Sequence, residues 1–287
     1  MTKYLASHEV GETARHDGRS SLSYVLLPGL GADGNVMSLV GEALAAADIG
    51  FVALEAPGFG PRRPKESGVS LGEAADVVMA SGKLPGRPAI YVGHSAGAME
   101  AIELAVRDPL AKGIVVVNGT LDEVSMLIDK PLRRVWRFPR KAYFMAALLV
   151  YLTGWLPKFV LRSLEKPGHP LTRLLRPMVA QPDKLSDRGL QVLVRHNRHR
   201  SAWRHFRANR HYDLLARADD IKVPVLVIHG EHDPLATSPG CSAFVRRLQD
   251  RGIPVEVITF NAGHCLPVEL PEAVAAATIG FGEELPR

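Results

Sequence analysis

Four short apolar runs rich in β-branched residues precede the middle of the chain, and each is bounded by glycine, proline or asparagine. They are Ser23–Leu27 and residues 51–54, 89–92 and 114–117. Continuous apolar runs of this length are typical of strands buried on both faces of a parallel sheet. Helical patterns lie between them, at residues 37–47, 71–79 and 98–106. This alternation predicts βαβ units and a doubly wound α/β sheet.

The strand pattern resumes near the end of the chain, at residues 225–228 and Val255–Phe260, with a helical pattern at residues 242–250 between them. At the other end, Asp17 and Gly18 form a pair that favours a tight hairpin turn. We therefore expect the first strands to be antiparallel, in a sheet that is otherwise mostly parallel.

The stretch between these two parts, residues 120–217, has a different character. It lacks strand-like runs, contains arginine-rich amphipathic stretches and is interrupted by several prolines. We predict a helical cap there, inserted into a core that comprises residues 1–119 and 218–287.

The charge of the chain is divided in the same way. Residues 121–217 carry 20 Lys+Arg and 7 Asp+Glu, a net charge of +13, whereas the whole chain has a net charge of only +5. The rest of the chain therefore carries a net charge of −8 (+5 minus +13). A basic insert in an otherwise acidic chain favours an anionic partner: a carboxylate, phosphate or acyl-thioester substrate, an anionic membrane or a nucleic acid. Coding bias is the alternative, since arginine outnumbers lysine throughout the chain.

Composition excludes several classes of protein. With 46% hydrophobic residues, 26 Gly and 21 Pro, the chain is not typical of disordered, collagen-like or coiled-coil proteins. Two cysteines cannot supply a disulfide framework. The N-terminus lacks the apolar core of a secretory signal, and the longest uncharged apolar stretch, residues 142–157, is shorter than the roughly 20 residues of a spanning helix. We expect a cytoplasmic protein with free thiols.

The strongest chemical signal is the motif GHSAG at residues 93–97, directly after a predicted strand and before a predicted helix. A nucleophile on such a sharp turn needs small neighbours, which Gly93 and Gly97 supply. The turn lifts the hydroxyl of Ser95 above the sheet, near a helix N-terminus that stabilises a developing anion.

Two further motifs follow the late strands: HGEHDP at residues 229–234 and NAGH at residues 261–264. Together with GHSAG, they make the chain resemble the α/β-hydrolase-fold serine hydrolases, specifically capped esterase-, thioesterase- or lipase-like members. The resemblance spans nearly the whole chain and implies an α/β-hydrolase fold. It also implies a triad in the order nucleophile, acid, histidine, which matches Ser95, Asp233 and His264.

Each residue type in this triad has a chemical reason. A serine hydroxyl is a poor nucleophile until a base removes its proton, and His264 can serve as that base. Asp233 would hold the imidazole tautomer and stabilise the imidazolium. The resemblance further implies an oxyanion hole formed by the backbone N–H groups of Ala96 and Leu30. Pro28 departs from the His-Gly that commonly begins this loop, but backbone donors do not depend on it.

Other candidates are weaker. Asp122 is an alternative acid, because it follows the strand at residues 114–117. We interpret His94 as a packing residue, and Cys265 lacks a nucleophile's elbow. Four further histidines have no carboxylates or cysteines at ligand spacing, so we expect no metal site: His196, His199, His205 and His211.

Two stretches of the predicted cap have alternative interpretations. Residues 142–156 are apolar on nearly every face and flanked by basic residues, which fits the buried roof of a pocket better than contact with an anionic membrane surface. Trp203 and Phe206 lie among arginines, a pattern found in nucleic-acid binding. It also fits a helix face that packs on the core, and we expect no nucleic-acid partner.

The sequence thus predicts a cofactor-independent serine hydrolase that cleaves an ester, thioester or lactone of a small acyl substrate, with anionic and lipid-like substrates both open. Two alternatives remain. One is a carbon–carbon bond hydrolase or lyase that uses the same triad on a carboxylate-bearing substrate. The other is a non-catalytic ligand receptor on the same fold. Pattern and spacing do not predict the substrate, its chain length or the oligomeric state.

Overall fold

A seven-stranded, mostly parallel sheet forms the centre of the described structure. The computed structural model describes residues 10–30, 32–55, 57, 69–119, 158–166, 169–176, 178–196, 208–209, 211–236 and 238–285. The strands are β1 (Gly11–His16), β2 (Ser23–Leu27), β3 (Gly50–Glu55), β4 (Ala89–His94), β5 (Ala111–Val117), β6 (Val225–Gly230) and β7 (Val255–Phe260).

The strands lie in the order β1-β3-β2-β4-β5-β6-β7. All neighbouring pairs from β3 to β7 are parallel, and β1 is antiparallel. The antiparallel direction expected from Asp17 and Gly18 is therefore present, but the predicted hairpin is wrong. β1 pairs with β3 rather than with β2, because a local turn signal sets the reversal of the chain and not the partner strand.

Helices cover both faces of the sheet. They are α1 (Ser38–Ala46), α2 (Leu71–Ala80), α3 (Ala96–Arg107), α4 (Lys158–Leu164), α5 (Asp187–His196), α6 (Leu214–Ala218), α7 (Ser238–Asp250), α8 (Leu266–Glu269) and α9 (Pro271–Glu284). Short 3₁₀ helices occupy Gly34–Met37, Pro170–Leu175 and Pro182–Lys184.

The core consists of two apolar layers, one on each side of the sheet. Val25 and Leu27 of β2 pack with α2, α3 and α7 on one face. Tyr24 and Leu26, the alternate residues of the same strand, pack with α1 and α9 on the other. Successive side chains of a strand point to opposite faces, so a strand buried on both faces requires a continuous apolar run. The predicted doubly wound α/β fold is confirmed.

The described residues between 158 and 196 pack on the carboxyl edge of the sheet, whereas Leu214 of α6 joins the core layer on one face. Val192 and Leu193 of α5 belong to an apolar cluster with Ala32 and Val36 from the loop after β2, and with Cys265 near the end of the chain. Residues 120–157 and 197–207 lie outside the described residues, and they include the apolar stretch at 142–156 as well as Trp203 and Phe206. The cap and its boundaries therefore stay predictions. Within the described ranges, no helix has the length and apolarity needed to cross a membrane.

Candidate active site

Ser95 occupies a strained turn between β4 and α3. Its backbone has φ +55° and ψ −126°, a conformation that L-residues rarely adopt. The two motif glycines explain how the chain makes this turn. A Cβ on Gly93 would lie 2.1 Å from the carbonyl oxygen of Gly97, and one on Gly97 would lie 2.3 Å from the carbonyl oxygen of Pro28. Only glycine fits at either position, as the elbow motif predicts.

The structure brings Ser95, His264 and Asp233 together although they are far apart in the sequence. His264 Nε2 lies 2.9 Å from Ser95 Oγ, and His264 Nδ1 lies 2.8 Å from Asp233 Oδ2. All three residues are buried. With Nδ1–H donating to the carboxylate, the bare Nε2 is the atom that accepts the serine proton.

The turn after β6 orients the Asp233 carboxylate. Its Oδ1 accepts hydrogen bonds from the backbone N–H groups of Leu235 (2.7 Å) and Ala236 (3.1 Å). Because these donors fix one carboxylate oxygen, the other is left to face the imidazole of His264. Asp122 lies outside the described residues.

The loop after β2 lies against the candidate nucleophile. A Cβ on Gly29 would come within 3.1 Å of Ser95 Cβ. Leu30 follows in this loop, and Ala96 begins α3 directly after Ser95. The N–H groups of Leu30 and Ala96 have no acceptor among the described residues. Donors without an acceptor in the described structure, one in each of the two segments that meet at Ser95, are compatible with the predicted oxyanion hole.

His94 contacts the site through the main chain of His264. Its Nε2 lies 2.7 Å from the His264 carbonyl oxygen, so Nε2 carries the proton and donates it. Burial, and then the nearby His264, lower the pKa of His94 to about 3, so the ring is neutral. Its Nδ1 has no hydrogen-bond partner among the described residues. His94 is buried, as interpreted from the sequence, but it also hydrogen-bonds to the histidine loop.

Neither Cys265 nor His211 joins this cluster. Cys265 is buried, and burial raises the pKa of its thiol well above the ordinary value, which disfavours the nucleophilic thiolate. His211 is exposed. Among the described residues, no group of three or more His, Cys, Asp or Glu side chains could hold a metal ion.

Sequence reasoning missed two polar residues that hold the histidine loop, the partly buried Glu269 and the buried Asn118. The Glu269 carboxylate accepts N–H groups from Gly263 (2.9 Å) and Ala180 (2.8 Å), and so links this loop to the insertion. Asn118, directly after β5, donates to the carbonyl oxygens of Gly263 and His264. The only sequence signal for Asn118 is its position at the carboxyl end of a central strand, where polar residues commonly serve a site.

Comparison with known proteins agrees with this fold. Residues 24–277 match the model of the alpha/beta hydrolase family. The chain therefore belongs to that family. A search of curated proteins finds no significant match.

Solved structures give the same assignment of fold. The chain is similar to an enol-lactonase from Burkholderia xenovorans LB400, with 19% identity and a TM-score of 0.64, covering 97% of this chain and 98% of that one. A lipase-esterase related protein from Clostridium acetobutylicum ATCC 824 is 15% identical, with a TM-score of 0.60 and coverage of 96% and 99%. A monoacylglycerol lipase from Paleococcus ferrophilus is 19% identical, with a TM-score of 0.58 and coverage of 95% and 98%.

Proposed function

We propose that the protein is a serine hydrolase that cleaves an ester, thioester or lactone through an acyl-enzyme intermediate. One observation carries the proposal: the imidazole of His264 bridges Ser95 Oγ and Asp233 Oδ2 at hydrogen-bonding distance on both sides. This geometry couples a nucleophile to a base and the base to an orienting carboxylate.

The chemistry proceeds in two halves. Ser95 Oγ attacks the acyl carbonyl carbon while His264 Nε2 takes the hydroxyl proton, and the resulting oxyanion accepts hydrogen bonds from the N–H groups of Leu30 and Ala96. His264 then protonates the leaving alcohol, thiol or lactone oxygen as the carbon–heteroatom bond breaks. A water molecule deprotonated by His264 attacks the acyl-enzyme and releases the acid. Protein groups and water are sufficient for this route.

Asp233 contributes by stabilising the imidazolium that forms during attack. Its carboxylate is already aligned by the two N–H groups of the following turn, so little reorganisation is needed when the charge develops. The strained backbone of Ser95 has the same significance, because the fold holds the hydroxyl in its reactive position before substrate arrives.

The charge of the insert supports an anionic acyl substrate within this class. Residues 121–217 carry a net charge of +13, and a concentrated positive field attracts anionic ligands. Replacing Arg133, Arg134 and Arg137 together with glutamine should raise KM for a carboxylate-bearing ester more than for a neutral ester of the same length. Equal changes for both esters would remove the support that charge gives to an anionic substrate.

A substrate panel tests the proposal. Chromogenic esters of increasing acyl length, acyl thioesters and lactones are incubated with the protein and with Ser95→Ala, which should lose turnover by on the order of 10⁴-fold or more. Ser23→Ala is the matched control, since it removes another buried serine hydroxyl at the opposite end of the sheet and should retain turnover.

Other outcomes of the panel separate the alternatives. Ser95-dependent consumption of a carboxylate-bearing diketone, with every acyl substrate left intact, would indicate carbon–carbon bond hydrolysis by the same residues. Tight ligand binding without any turnover would indicate a receptor. Turnover of acyl substrates that survives Ser95→Ala would contradict the proposed nucleophile.

A further inference from the structure

Asn118 lies where β5 leaves the sheet, beside the elbow. It is 2% exposed, and its backbone has φ +47°. Left-handed backbone is uncommon outside glycine, although asparagine tolerates it better than most residues. The preceding carbonyl, that of Val117, accepts the N–H of Ser95 at 2.9 Å, and the N–H of Asn118 donates to Ile228 of β6. The main chain of residues 117–118 thus already joins the elbow to the next strand.

Both polar atoms of the Asn118 side chain are hydrogen-bonded. Its Oδ1 accepts the N–H of Gly230 at 2.7 Å, and its Nδ2 donates to the carbonyl oxygens of Gly263 (2.8 Å) and His264 (3.0 Å). Only one orientation of the amide satisfies all three partners, because Gly230 offers a donor and the other two offer acceptors.

Gly230 ends β6 directly before the loop that carries Asp233, and Gly263 and His264 belong to the loop after β7. The loops touch through their main chains: a Cβ on Gly230 would lie 2.5 Å from the carbonyl oxygen of Gly263. A main-chain hydrogen bond also connects the two loops, from the N–H of His232 to the carbonyl oxygen of Ala262. The closest approach, at Gly230 and Gly263, leaves no room for a side chain on either residue, and the amide that bridges them comes from Asn118, directly after the neighbouring strand.

We propose that Asn118 is a positioning residue that holds the loops of Asp233 and His264 in register, so that His264 Nε2 stays directed at Ser95 Oγ. The inference rests on the proposed function, in which this pair exchanges a proton. A displacement of the His264 main chain would misalign both hydrogen bonds of its imidazole together, and about 1 Å of misplacement reduces a catalytic rate by on the order of 10²-fold.

A purely structural role makes a different prediction. If Asn118 served only to end β5 in the left-handed conformation, glycine would replace it without loss, since glycine adopts that backbone at no steric cost. Asn118→Gly therefore keeps the backbone turn while deleting the amide. His94 still donates to the His264 carbonyl in this variant, and the main-chain bond from His232 to Ala262 remains, so the variant removes only the side-chain bridge between Gly230 and the His264 loop.

We expect Asn118→Gly to lower kcat by on the order of 10²-fold with little change in KM, and to slow the labelling of Ser95 by a fluorophosphonate to a similar extent. The control is Tyr91→Phe, which removes a partly buried hydrogen bond from β4 to Asp108 at the end of α3, away from the site. This variant should lose stability in urea and retain kcat, because instability alone does not alter the chemistry of the folded fraction.

Asn118→Asp is the second variant. It keeps an acceptor for the N–H of Gly230 but places an oxygen opposite the carbonyls of Gly263 and His264, so its loss of kcat should be at least as large. A folded variant with the wild-type kcat and labelling rate would overturn the proposal. So would two variants that cannot fold, since the amide would then serve the fold itself. Ser95→Ala is assayed in parallel: turnover that does not depend on Ser95 would contradict the proposed function rather than the role of Asn118.

Discussion

His94 and His264 lie with their ring centroids 5.1 Å apart, and the Nε2–H of His94 donates to the main-chain carbonyl of His264. The residue before the candidate nucleophile thus supports the candidate base without hydrogen-bonding to its imidazole. The elbow and the histidine loop are connected twice: through the side chains of Ser95 and His264, and through His94 and the His264 carbonyl.

The buried, neutral His94 should make the fold sensitive to acid. Burial, together with the nearby His264, lowers its pKa to about 3 in the folded state, whereas the unfolded chain takes up this proton near pH 6.5. The folded state therefore binds fewer protons, and stability falls as the pH decreases from about 6.5 towards 3. At pH 5, this one group should lower the free energy of unfolding by about 2 kcal/mol.

Urea unfolding of wild type and His94→Gln between pH 5 and pH 8 measures this effect. Glutamine carries an Nε2 donor but does not titrate, so the variant should show a shallower pH dependence and the difference between the proteins should shrink at low pH. The side chain of His94→Asn is too short for its donor to reach the His264 carbonyl, so this variant should show reduced turnover. Parallel pH dependences in wild type and His94→Gln would show that His94 is not the responsible group.

Glu100 should make the stability depend on pH in the opposite direction. It lies on α3 with 1% exposure, and neither carboxylate oxygen has a hydrogen-bond partner among the described residues. Burial, and then the nearby Glu103, raise its pKa well above the ordinary value, so the folded state retains a proton that the unfolded state releases. Stability from this group is therefore lost as the pH rises above the unfolded value.

Glu100→Gln should unfold at a higher urea concentration than wild type at pH 8, with the gain disappearing towards pH 4. Glu103→Gln, one turn further along α3, is the contrasting variant. Its carboxylate accepts hydrogen bonds from Tyr212 and Arg217, so its loss should destabilise the protein by on the order of 3 kcal/mol. A Glu100→Gln protein that is less stable than wild type at pH 8 would mean that the carboxylate has a partner after all.

Asp233 and Asp122 are both aspartates that could serve as the acid, and replacement by asparagine distinguishes them. Asp233→Asn leaves the size of the side chain unchanged but removes the charge opposite His264 Nδ1, and should lower kcat by on the order of 10³–10⁴-fold. Asp122→Asn should retain kcat within a few-fold. The reverse result, an inactive Asp122→Asn and an active Asp233→Asn, would reassign the acid.

Much of the arrangement follows from local sequence. A strand buried on both faces needs a continuous apolar run, which is why β2 and β4 could be located, and GHSAG between a strand and a helix favours a tight elbow. Parallel strands bring their carboxyl ends to one edge. Motifs that follow β4, β6 and β7 therefore meet there, and Ser95, Asp233 and His264 lie together as the motifs indicate.

The parts that could not be predicted depend on long-range contacts between polar groups. Asn118 reaches Gly263 across 145 positions of sequence, and Glu269 reaches Ala180 across 89. Both bonds end on main-chain atoms, which every residue possesses, so neither leaves a pattern of residue types. The pairing of β1 with β3 has the same origin: Asp17 and Gly18 specify a reversal of direction but not the edge to which the strand then adds.

The central claim is that Ser95 is the nucleophile activated by His264, and covalent labelling tests it most directly. The protein is treated with a fluorophosphonate, digested, and the modified peptide is identified by mass spectrometry. We predict one adduct, on the peptide that contains Ser95, which is absent in Ser95→Ala and forms at least 10²-fold more slowly in His264→Ala, on the order expected when a positioned general base is lost. An adduct on a different serine that persists in Ser95→Ala, together with unchanged turnover, would contradict the account.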